Sequence, residues 1–202
     1  CTDTSSFAIN PSGNYINPEF YGCSPDWENY PSMAYGIIRD TGFLKWRYME
    51  HPALDYQIFT YGPPEALSVC VVRLQTSSGE YSVTTAKIID FFHPANRRND
   101  AETLIRSVLG YCADKNCVYI DSVISAGEYI NTLSGAGFRE DTEGVFPSRL
   151  SPVQRMKEKF NFLYWAKSGS HDITDFLYLS RGDSDADRAA SIHLIKRRSS
   201  HV

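Results

Sequence analysis

Long apolar runs are missing from this 202-residue sequence: no stretch approaches the roughly 20 consecutive apolar residues that a membrane-spanning helix needs. A charge excess is missing too. Twenty Lys and Arg against 24 Asp and Glu leave a net charge of −4, which removes the broad basic field on which non-specific nucleic-acid binding relies. The basic tail Lys196-Arg197-Arg198 reads as a solvated end and not as a nucleic-acid site. Cysteine is sparse. Cys1, Cys23, Cys70, Cys112 and Cys117 are odd in number and contain no CxxC, so they read as reduced thiols of a cytoplasmic protein. The five histidines (His51, His93, His171, His193, His201) stand at neither HxH nor HxxxH spacing, and no metal is expected. Asp183, Asp185 and Asp187 alternate like the start of a calcium loop, but Arg188 and Leu194 occupy the positions that need Gly and Glu. What is present, 42% apolar and 13% aromatic residues, suffices for a packed core and argues against a disordered chain.

The chain opens on Cys1 and the polar run Thr2-Asp3-Thr4-Ser5-Ser6. That start reads either as the interior of a longer protein or as an exported lipoprotein whose cysteine carried lipid. Residues 1–40 carry turn dipeptides (Asn10-Pro11, Asn17-Pro18, Ser24-Pro25, Tyr30-Pro31) and no sustained period, so they read as an extended arm or inter-domain linker. From 41 to 188 the pattern is that of one domain. A short helix from Phe43 is stopped by Pro52. Alternating or apolar runs predict strands at 56–61, 66–74 and 81–92, with a hairpin connection at 77–80. After Pro94 the period changes from two to 3.6: Leu104, Ile105, Val108, Leu109 and Cys112 share a helical face over 99–114, with Asn99 and Glu102 as a capping box. A strand at 117–123 follows. A helix then opens at Ser125-Ala126-Gly127-Glu128 and ends in Gly135-Ala136-Gly137, and Phe138-Arg139-Glu140 begins a further strand. Closing strands are expected at 162–165 and 174–179, and residues 189–202 form the basic tail. The fold class is α/β (α+β): a mixed, mostly antiparallel sheet flanked by helices.

Several residues are candidates for chemistry, each with an ordinary structural role beside it. His93 ends the long strand, where a general base would face a cleft, or it simply packs there. Asp90 alternates onto the opposite strand face from His93, so the two do not form a simple pair. Phe43, Trp46, Tyr48 and Tyr56 either stack on a sugar or fill the core. Asp183 and Asp185 either orient an amine or sugar hydroxyls, or form a turn paired with Arg181 and Arg188.

The order meander, long strand, helix, strand, short helix, Gly-Phe resembles the GCN5-related acetyltransferase fold. Two motifs, Phe43-Leu44-x-Trp46-Arg47-Tyr48-x-x-His51-Pro52-x-x-x-Tyr56 and Gly182-Asp183-Ser184-Asp185-x-Asp187, resemble the C-terminal half of a bacterial acetyltransferase-like family associated with surface polysaccharide synthesis. The resemblance covers residues 40–188. It implies a further acetyltransferase-like domain upstream, an acetyl-CoA or other acyl-CoA donor, and an amine or sugar acceptor at Trp46, Arg47, Asp183 and Asp185. It places the donor's pyrophosphate at the turn after Pro94, with Arg97 and Arg98 as its cations. The family's small residues at that turn are replaced by Asp100 and Glu102, whose carboxylates repel phosphate. The family's general-acid Tyr position is Leu133, and Tyr129, one turn earlier on the same face, is the substitute. The resulting expectation is the acceptor-side half of a transferase, or a non-catalytic binding domain of the same fold with a degenerate acyl-CoA site.

Overall fold

A computed structural model describes residues 29–30, 37–76, 82–125, 127–140 and 178–183. Its elements are α1 (Thr41–Leu44), which continues directly into a π-helical turn at Lys45–Met49, then β1 (Gln57–Tyr61), β2 (Ser68–Thr76), β3 (Thr84–Phe92), α2 (Arg98–Asp114), β4 (Cys117–Ser122) and α3 (Gly127–Gly135). The strands form one sheet in the order β1-β2-β3-β4. The first three are antiparallel, and β4 lies parallel to β3. This is the mixed, mostly antiparallel sheet that the sequence pattern predicts.

The reasons are local. The run Ser68–Val72 and nearly all of β3 are buried, as an interior strand covered on both faces requires. A bulge between Val71 and Val72 shifts the β2–β3 register. The apolar stripe Ala101, Leu104, Ile105, Val108 and Cys112 lays α2 across the sheet, where it touches β1, β2 and β4. The α2 crossover is what allows β4 to return parallel to β3.

Three local expectations are corrected. Asn99 and Glu102 do not form a capping box: α2 starts at Arg98, out of the Pro94-led turn Ala95–Arg97, and its N-cap Arg97 makes no side-chain cap bond. Pro94 presets the turn, so the helix nucleates earlier than Asn99. Asn99 is therefore helical, and its carbonyl accepts from the Thr103 hydroxyl at 2.9 Å. Phe138, Arg139 and Glu140 follow α3 and the turn at Ala136-Gly137 as irregular chain, without a strand partner among the described residues. At the end of the predicted 174–179 strand, Tyr178 and Leu179 lie outside any strand, and Ser180 makes an isolated antiparallel bridge to Ile124. The predicted hairpin at 77–80, the strand at 162–165, Asp185, Asp187 and the tail 189–202 lie outside the described residues.

Candidate functional site

Pairing between β3 and β4 ends at Ile88 and Ser122, although β3 runs on to Phe92. Beyond that point Asp90 and Phe91 face a space that β4 does not close. Tyr178 enters it: its hydroxyl accepts from the Phe91 N–H at 3.3 Å, lies 3.0 Å from the Phe91 carbonyl and donates to Asp90.

Asp90 is the centre of a buried charge cluster. It accepts from Arg39 Nε at 3.1 Å and from the Tyr48 hydroxyl at 2.8 Å. Arg39 falls in the segment read as an arm, yet it is fully buried. Its Nη1 donates to the Ile37 carbonyl at 2.6 Å and its Nη2 to Asp183, while the guanidinium lies 4.5 Å from the Tyr178 ring centroid. Burial opposes the Arg39 charge, but Asp90, Tyr178 and Asp183 together hold its pKa above the usual value. The Tyr48 and Tyr178 phenols are pushed well up, by burial first and by the Asp90 carboxylate second.

The two sequence motifs meet at this cluster. In the π-helical turn the Glu50 N–H reaches the Lys45 carbonyl at 2.9 Å, and the consecutive residues Arg47 and Tyr48 are both buried. Arg47 donates from Nε and Nη2 to the Gly182 carbonyl, each at 3.2 Å. Asp183 ends a 3-10 turn at Arg181–Asp183, and its Oδ2 accepts from the Ser180 N–H at 2.8 Å. Its other oxygen, Oδ1, is buried without a hydrogen bond among the described residues. Asp183 therefore pairs with Arg39. Arg181, the partner expected from sequence, turns instead to Asp121, which also accepts from Lys87 at 3.4 Å.

The remaining candidates are distributed around this centre. Trp46 is 67% exposed and packs edge-on against Phe43, whereas Tyr48 and Tyr56 belong to the core. His93 is fully buried. Its Nδ1 donates to the Pro94 carbonyl at 2.8 Å, which makes Nε2 the acceptor facing the Thr132 hydroxyl at 3.0 Å. Burial lowers the His93 pKa, and the Pro94 carbonyl partly opposes this. The structure brings His93 beside Tyr129, with ring centroids 5.0 Å apart, but Tyr129 is also fully buried and its phenol is pushed up by burial. Arg97 and Arg98 flank a hollow of about 350 Å³, each held by an acid of the first turns of α2: Arg97 to Asp100 at 3.0 Å, Arg98 to Glu102 at 3.2 Å. An open cavity of about 700 Å³ lies along β4 and α3, with Ile120, Val123 and Leu133 in its wall and Asp121 and Arg181 at its polar side.

Sequence reasoning missed Arg39 as a site residue, the Asp90–Tyr178 contact and the Lys87–Asp121–Arg181 group. The signal for two of them was present, because Lys87 and Asp90 interrupt an otherwise apolar strand and a charge there requires a partner. Nothing local marks Arg39.

Among the described residues no helix is long and apolar enough to cross a membrane, and no group of three or more His, Cys, Asp or Glu is placed to hold a metal ion. The class defined by fold and site is an α+β domain whose mixed sheet opens at a buried, charge-paired strand end. No protein-family model, curated protein or solved structure matches this chain.

Proposed function

We propose that this chain is an acyltransferase-like domain of the GCN5-related fold, the acceptor-side half of a transferase acting on an amino group of a sugar or peptide precursor. The observation that carries the reading is the β3–α2–β4 unit: a parallel pair at the β4 edge of an otherwise antiparallel sheet, whose pairing ends at Ile88 and Ser122 while β3 runs on to Phe92. In open α/β sheets ligands bind in the crevice outside the carboxyl ends of the strands, and β3 and β4, being parallel, end on the same side. Asp183 Oδ1, buried and without a hydrogen bond among the described residues, supports a protonated amine as the acceptor, which must displace what covers that oxygen to make a charge-assisted hydrogen bond. Exposed Trp46 supplies an aromatic face for a sugar ring.

Asp100 and Glu102 occupy the guanidinium groups that a pyrophosphate would need, which supports an acyl-CoA held by another half, an upstream domain of similar fold. An acyl-CoA donor also fits a cytoplasmic setting better than that of an exported lipoprotein. A second reading, a non-catalytic binding or scaffolding domain, is favoured by the burial of His93 and Tyr129, neither of which faces an open cleft.

Calorimetry separates these readings. Acetyl-CoA is expected to bind this chain weakly or not at all, and Asp100→Gly with Glu102→Ala to gain affinity. A low-micromolar dissociation constant for the unaltered chain, about −8 kcal/mol, would overturn the acceptor-half assignment. Saturable binding of an amino sugar or an amino-terminal peptide supports the transferase reading, and absence of both leaves the scaffold.

A further inference from the structure

β3 is buried along almost its whole length, yet a lysine stands in its middle. The register puts Arg73 of β2 directly opposite Lys87, and Lys87 opposite Asp121 of β4. Opposed residues share a sheet face, so the three side chains form one row across three strands. Lys87 Nζ lies 3.4 Å from Asp121 Oδ2, and Arg181, from the turn after Tyr178, pairs with Asp121 Oδ1. Lys87 and Arg181 are fully buried and Arg73 nearly so, while Asp121 is partly exposed in the wall of the open cavity beside α3. In this row three cations stand with one carboxylate, and burial favours the loss of one positive charge. The lysine is the member able to lose it, because a guanidinium does not deprotonate in a protein. Burial first, then Arg181 and Arg73, lower the Lys87 pKa to about 8, and Asp121 opposes them.

We propose that Lys87 is a carbamylation site for carbon dioxide, held between Arg73 and the Asp121–Arg181 pair. The neutral amine attacks the carbon of CO2. An N–C bond forms, the π pair of one C=O bond moves onto its oxygen, and the nitrogen releases one proton to solvent. Lys-NH2 and CO2 thus become Lys-NH-COO⁻ and H⁺. The reagent class follows from the geometry. Lys87 presents no surface, so an electrophile that reaches it must be small, uncharged and able to enter an apolar interior. The cavity wall at Asp121 gives the route, since that carboxylate lies against Nζ. Charge selects the product. Carbamylation changes the row from three cations and one anion to two of each. The planar carbamate has two oxygens that accept from guanidinium groups as a carboxylate does, whereas Asp121 opposes it by like charge. The modified side chain then joins β2, β3 and the turn that carries Asp183 through a single anion, and makes the hold on that turn responsive to CO2. The modification stands independently of the transferase reading.

The test compares the folded, full chain in carbon-13-labelled bicarbonate with the same chain in CO2-free buffer, at one mildly alkaline pH and one ionic strength. Carbon-13 NMR reads the carbamate carbonyl, and thermal unfolding is recorded in both buffers. A carbamate resonance that is lost in Lys87→Met is expected, together with a CO2-dependent rise in Tm that the same variant lacks. Arg73→Met should weaken the resonance by removing a cation that the product needs. Asp121→Asn should strengthen it by removing the opposing anion, and this second variant carries the test if Arg73→Met does not fold. A carbamate signal that persists undiminished in Lys87→Met belongs to other amines and overturns the proposal. So does a weaker signal in folded Asp121→Asn, or a Tm that CO2 leaves unchanged in the unaltered chain.

Discussion

Arg47 and Gly182 are 135 residues apart, and both the Nε and the Nη2 of the arginine donate to the one glycine carbonyl at 3.2 Å. That contact brings the helix at the start of the domain against the turn that follows Tyr178. It also explains why a glycine stands at this position, since a Cβ on Gly182 would overlap the Tyr48 hydroxyl.

Gly182→Ala is therefore expected to expel Tyr48 from its hydrogen bond to Asp90 and to destabilise the fold by about 2–4 kcal/mol, as overpacking of a buried polar contact does. Urea denaturation checks this. Adding Tyr48→Phe removes the overlapping oxygen, so the double variant should lose less than the two single losses added together. Strict additivity would show that the two residues do not compete for the same space.

Arg39 bridges Asp90 and Asp183, and the two halves of that bridge are not equivalent. Arg39→Met leaves two buried carboxylates without their shared cation and should cost about 3–5 kcal/mol. Asp183→Asn leaves Arg39 paired with Asp90 and retains hydrogen-bonding capacity, so about 1–3 kcal/mol is expected. Equal losses in chemical denaturation would contradict the central role given to Asp90. If Asp183 also serves an acceptor amine, Asp183→Asn should weaken amino-sugar binding by more than its stability loss explains, measured at a temperature where the variant is fully folded.

Lys87 gives a pH signature. Burial lowers its pKa from the ordinary 10.5 to about 8, with Arg181 acting in the same direction and Asp121 opposing. Between about pH 8 and 10.5 the unfolded chain binds the proton that the native chain has released, so this residue makes stability rise with pH across that window. The size of the effect is roughly 2–4 kcal/mol. The buried tyrosines and cysteines act oppositely at the alkaline end, because their raised pKa values make the unfolded chain the one that loses protons first. The difference between the unaltered chain and Lys87→Met isolates the lysine: that difference should grow with pH from about 8 to 10.5 in favour of the unaltered chain, and a flat difference would refute the assignment.

His93 gives the acidic counterpart. Its folded pKa lies below the ordinary 6.5, so as pH falls from 6.5 the unfolded chain takes up a proton before the native one does. Stability that is complete above 6.5 is then lost as pH falls toward the native value. Imidazole NMR should find His93 neutral below pH 6.5, in the tautomer with the proton on Nδ1, and His93→Gln should remove this component of the acid dependence. A native midpoint above 6.5 would show that the ring is not desolvated as its burial implies.

Much of the fold was legible from periodicity. The alternation and apolar runs before Pro94 and the 3.6-residue stripe after it locate β1, β2, β3 and α2 to within a few residues, because burying one face or both imposes those patterns directly. Helix starts were less legible. The Asn99–Glu102 signature is sound chemistry, but the rigid Pro94 turn fixed the helix start before it could act. The Phe138 strand failed because an apolar residue after a Gly turn states a need for burial and not the means of meeting it; Phe138 meets it by packing against the core from irregular chain.

The sequence by itself determined the residue types of the candidate site: a charged pair of residues in a buried strand, an Arg-Tyr step in a short helix, a Gly-Asp turn and an acid-laden Pro94 turn. Only the tertiary structure decided who pairs with whom. Arg39 took Asp90 and Asp183, Arg181 took Asp121, and His93 with Tyr129 went into the core. Local spacing ranks neighbours along the chain. A buried charge takes whichever partner the packed core leaves within reach, and here those partners lie 51 and 144 residues away from Arg39, a distance to which no periodicity extends.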